Sequence, residues 1–149
     1  MEVAELAVST LQDTYWDNGV LRGQVFFPAV GRMVNVVLDV ERDYADAPYV
    51  DEVAEGLRFF IGYFSPKRYE NLRKEVIVEL NDNAYELNRK DSRTETYSLM
   101  GNDAYLSLIT VLPKGFVLWY STKGEEAEGA ELVVQLTRDF TINDLSLYR

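Results

Sequence analysis

Asp39, Glu41 and Asp43 alternate in Asp39-Val-Glu41-Arg-Asp43, so on an extended chain their carboxylates project from one face, an array of oxygen donors suited to Mg²⁺ or Ca²⁺. A calcium loop counted from Asp39 requires glycine at its sixth position and a bidentate glutamate at its twelfth. Those positions hold Tyr44 and Val50. The array therefore reads as a solvated strand face running into an acidic loop, and no metal is expected.

Between Asp39 and Glu55 the acids Asp39, Glu41, Asp43, Asp46, Asp51, Glu52 and Glu55 face Arg42 alone, with Tyr44 and Tyr49 interleaved. Carboxylates of one sign steer a basic protein toward the surface, and tyrosine supplies rigid contact area once it arrives. Asp43, Tyr44, Asp46, Tyr49, Asp51, Glu52 and Glu55 are therefore candidate partner-binding residues. A second acidic patch, Glu125, Glu126, Glu128 and Glu131, lies in a glycine-bounded loop near Trp119 and Tyr120. It is either a second docking surface or a charged loop that blunts a sheet edge. Lys67, Arg68, Arg73 and Lys74 lack an accompanying aromatic platform or glycine-rich loop, which argues for a solvated helix face and against a nucleic-acid site.

The absences narrow the chemistry further. The chain has no histidine and no cysteine. That excludes Ser-His triads, HExxH zinc sites, thiolate nucleophiles and disulfides. An enzyme built from this sequence would have to rely on a carboxylate pair or a carboxylate-bound cation. A net charge of −10 opposes direct contact with nucleic acid or an anionic membrane. No phosphate-binding glycine loop or nucleophile elbow is present, so no cofactor is expected. The N-terminal Met1-Glu2-Val3-Ala4-Glu5 lacks the positive charge of a secretory signal, and no apolar run reaches the roughly 20 residues of a membrane span, so a cytoplasmic location is expected.

Positioning these residues requires a folded core, and 149 residues with a 47% hydrophobic share supply the material for one domain over 1–149. Residues 20–28 and 33–40 read as a hairpin around Pro28-Ala29-Val30-Gly31. Val34, Val36, Leu38 and Val40 fall on its core face, Asn35, Asp39 and Glu41 on the other. In 51–64 the period changes: Val53, Leu57, Phe60, Ile61 and Phe64 form one helical stripe, with Asp51 as candidate N-cap. Ser65-Pro66 predicts a second N-cap and first helical residue, with a helix running to about residue 80 against the strand preference of Val76-Ile77-Val78. Ser92 and Glu95 have capping-box spacing for a short helix over 93–100. Residues 104–112, 116–122 and 131–137 then read as a meander, with 144–148 as a further strand. In that meander Trp119 is placed in the core and Tyr120 on the opposite face, while Tyr15 and Trp16 are read as core or sheet cover. The expected class is α+β: a mostly antiparallel sheet, from an N-terminal hairpin plus a C-terminal meander, with two helices packed on one face.

This order, with TYWDNGVLRGQVFFP at the start and FVLWYSTKGEEAEGAELVVQLTRDFTINDLSLY at the end, resembles the small immunity-protein families of bacterial polymorphic-toxin systems. The resemblance implies a cytosolic, non-catalytic inhibitor that binds a toxin domain and blocks its active site or substrate entry. Many such toxins act on nucleic acid and are basic, so the implied partner is a basic protein. Two other readings stay open: a carboxylate-dependent hydrolase working without His or Cys, and an acidic mimic of nucleic acid.

Overall fold

The computed structural model describes residues 11–41, 47–82, 104–122 and 131–148. Its first turn is set by Asn18-Gly19. Both residues have positive φ, 53° and 84°, which is the backbone of a two-residue hairpin turn whose twist matches the flanking strands. The turn joins β1 (Gln12–Asp17) to β2 (Val20–Phe27), with Asp17 opposite Val20. The predicted hairpin follows as β2 and β3 (Arg32–Glu41), and Gly31, at φ 68°, closes the turn after Pro28. Val34, Val36, Leu38 and Val40 are buried, as their alternation requires, while Asn35 and Asp39 are exposed.

Helix α1 (Ala47–Tyr63) begins upstream of Asp51, so Asp51 lies inside the helix and is not its N-cap. Pro48 explains the earlier start: in a first turn its missing N–H would be unpaired in any case. Val53, Leu57, Phe60 and Phe64 are buried and Ile61 is partly buried. Ser65 does cap α2 (Pro66–Asp82): its Oγ accepts from the Arg68 N–H at 3.2 Å and its carbonyl from the Tyr69 N–H at 2.9 Å. Val76-Ile77-Val78 stays helical because Val76 is buried in the core, and burial outweighs a local β preference. The predicted helix over 93–100 lies outside the described residues.

Strands β4 (Ala104–Leu112), β5 (Gly115–Thr122), β6 (Glu131–Thr137) and β7 (Ile142–Tyr148) complete, among the described residues, a seven-stranded sheet in sequence order. Every neighbouring pair is antiparallel except β3 with β4, which the two-helix crossover makes parallel. Arg32 ties that pair together, donating to the Met33 and Leu106 carbonyls and lying over the Tyr105 ring. Among the described residues no helix is long and apolar enough to cross a membrane.

The expected phase of β5 is reversed. Phe116, Leu118 and Tyr120 are buried, and Trp119 is half-buried on the other face with its indole N–H donating to Thr110 Oγ1 at 3.2 Å. Tyr120 fits an apolar interior because its hydroxyl meets that of Tyr69 at 2.9 Å, so neither polar atom is stranded. Burial raises the pKa of Tyr69, and raises that of Tyr120 far more, above the usual phenol value of 10.0. Tyr15 is exposed rather than core, whereas Trp16 packs against the core edge.

Candidate functional site

Helix α1 carries a second stripe beside its buried one. Glu52, Glu55, Phe59 and Tyr63 follow at i, i+3, i+7 and i+11, and the helical period brings them onto one strip of surface. All four are exposed, with Phe59 57% and Tyr63 39% accessible. The cause is phase: Phe60 takes the core position, so its neighbour Phe59 must point to solvent. Two carboxylates followed by the open ring of Phe59 and the exposed edge of Tyr63 on a rigid helix make a surface able to attract a cation-rich partner and hold it by ring burial. Glu55 also accepts from Arg58 at 2.9 Å, an exposed i,i+3 ion pair.

The C-terminal half of this strip borders a hollow of about 410 Å³ lined by Arg58, Phe59, Gly62, Tyr63, Arg138 and Phe140. Tyr63 stacks on Phe140 at 4.3 Å with the rings 13° apart, and the Arg68 guanidinium lies over Tyr63 at 4.6 Å. Arg138 enters from the β6–β7 turn and donates to the carbonyls of Pro113 at 3.0 Å and Glu52 at 3.4 Å. Gly56 makes room for it, since a Cβ there would stand 2.9 Å from the Arg138 Nη1.

Two other hollows hold polar groups. One of about 420 Å³ is lined by Asp39, Lys114, Gly115, Gln135 and Asn143; another of about 290 Å³, on the open sheet face, includes Asp13, Arg22, Gln24 and Asn35. Each is lined by a single carboxylate, whereas glycoside hydrolysis needs two across one cleft. Among the described residues no group of three acidic side chains is placed to hold a metal ion.

Of the candidate docking residues, Glu52 and Glu55 stand together on the exposed strip. Tyr49 and Asp51 belong to α1, but their side chains lie outside the described residues, as do Asp43, Tyr44, Asp46, Glu125, Glu126 and Glu128. Glu131 is exposed at the start of β6. Sequence reasoning missed Phe59, Tyr63, Arg138 and Phe140. The first two carry a legible signal, an aromatic residue out of phase with the apolar stripe; the last two sit in a turn far along the chain and carry none.

The fold and surface define an α+β domain with an acidic and aromatic strip on its first helix. No family model, curated protein or solved structure matches the chain.

Proposed function

We propose that this chain is a non-catalytic binding module of the immunity type, acting in the cytoplasm by docking a basic protein domain and covering its working surface. The observation that carries the reading is the strip on α1: Phe59 lies uncovered, and Tyr63 partly exposed, in line with Glu52 and Glu55. Large aromatic rings are the residue type that most often anchors an interface, and a flanking rim of like charge accelerates encounter with the opposite charge. The net charge of −10 extends that attraction beyond contact distance.

In this reading both helices cover the same face of the sheet. Phe60 touches Phe27 and Phe116, while Tyr69 meets Phe27 and Tyr120, and these strand residues all belong to one buried cluster. Helix α1 is thereby held from beneath, and its outer strip is presented without loss of order on binding, which favours affinity.

The test is co-purification and titration with the product of the neighbouring reading frame. A stoichiometric complex is expected, weakened at least tenfold by Phe59→Ser, with the same variant failing to protect cells from that product. Absence of a complex, or one indifferent to Phe59, contradicts the proposal.

A further inference from the structure

We infer that the hollow between α1 and the β6–β7 turn is a binding site for a small planar carboxylate, with Arg138 receiving the anion. Arg138 is part-buried, yet it donates to the neutral carbonyls of Pro113 and Glu52, and no carboxylate among the described residues forms an ion pair with it. A cation withdrawn from water normally finds a counter-charge. Arginine's planar fork matches a carboxylate through two parallel hydrogen bonds.

Backbone choices converge on the same spot. Phe140 holds φ at 65°, a left-handed conformation that bulky side chains rarely adopt, and this directs its ring onto Tyr63 and Phe116. Such strain clusters at working sites. Two glycines weaken α1 on this side: Gly56 admits the Arg138 guanidinium, and Gly62 leaves open space where a Cβ would meet nothing within 4 Å.

The lining sets the ligand class. Phe59 offers a free ring face for a flat apolar body, Tyr63 and Phe140, stacked on each other, present their edges to it, and about 410 Å³ is the size of a small-molecule site. Arg58 is already engaged by Glu55, and Arg68 by the ring and carbonyl of Tyr63, which leaves Arg138 to receive one negative charge. A doubly charged phosphate would bring its second charge close to Glu52 and Glu55. A monocarboxylate is therefore the matching anion.

The inference does not rest on the partner reading, because the protein alone is tested. Titrate it by calorimetry with 2-naphthoate and with its neutral isostere 2-naphthamide. The acid should bind more tightly by roughly tenfold or more, the margin a charge-assisted bidentate contact provides. Arg138→Gln should erase that preference while leaving the amide unchanged. Gly62→Leu, which fills open space without touching the core, should block both ligands and retain the near-ultraviolet circular dichroism of the fold. Equal affinity for acid and amide, no binding of either at millimolar concentration, or full binding by Gly62→Leu would each overturn the assignment. Should Arg138→Gln fail to fold, the isostere pair in the wild type and Gly62→Leu still decide it.

Discussion

At the scale of single residues, the paired hydroxyls of Tyr69 and Tyr120 are the polar contact on which the core depends. Removing one partner strands the other: Tyr69→Phe should cost about 1–3 kcal/mol, because the Tyr120 hydroxyl is left buried and unpaired. The double variant Tyr69→Phe/Tyr120→Phe should recover much of that loss, and urea unfolding of wild type, Tyr69→Phe, Tyr120→Phe and the double variant gives the coupling directly. Both phenols are shifted upward, by desolvation first, so the folded state holds these protons more tightly than the unfolded chain. Their contribution is complete below the ordinary phenol value near 10 and is lost as pH rises through the folded values. Alkaline unfolding should therefore set in later for the double variant than a parallel shift in stability would give. Phe140 inverts a familiar order. Its left-handed backbone costs a Cβ-bearing residue about 1–2 kcal/mol, so Phe140→Gly should be more stable than Phe140→Ala although both lose the ring. Equal melting temperatures for the two would show that the turn is unstrained.

At the scale of elements, local signals are readable where a segment makes its own case. Alternation placed β2 and β3, a single stripe placed α1, and Ser65-Pro66 placed the start of α2 to the residue. Strand β1 has weak alternation and is absent from the sequence reading, although Asn18-Gly19 has the chemistry of its turn. Parallel pairing of β3 with β4 had no local signature, since it depends on where the two-helix crossover returns the chain. The phase of β5 was likewise undecidable from Trp119 and Tyr120: both rings suit burial, and only the hydroxyl of Tyr69, on another element, selects Tyr120. The hollow was illegible for the same reason, being assembled from α1 and a turn remote in sequence. Three substitutions test the element account. Ser65→Ala should lower stability by about 1 kcal/mol through loss of the cap to Arg68. Gly62→Ala, exposed and unobstructed, should raise it by about 0.5–1 kcal/mol, whereas Gly115→Ala should destabilise, because its Cβ would collide with the Leu136 carbonyl oxygen.

At the scale of the whole molecule, a net charge of −10 is carried by a domain whose interior is apolar and whose first helix presents two carboxylates beside the exposed Phe59 and the partly exposed Tyr63. Self-repulsion of this size is a cost to compactness and a benefit to encounter with a basic partner. The charge acts before contact and the rings after it, so the two contributions separate kinetically: charge changes act on association and its salt dependence, ring changes on dissociation. The decisive measurement is therefore the stopped-flow association rate with the proposed basic partner as a function of ionic strength, for wild type and for Glu52→Gln/Glu55→Gln. Both residues are exposed, so the double variant should remain folded within about 0.5 kcal/mol per site. The wild-type rate should fall steeply with salt, and the variant should associate several-fold more slowly at low salt with a flatter slope, the two curves meeting at high salt. Identical rates and identical slopes would contradict docking through this strip.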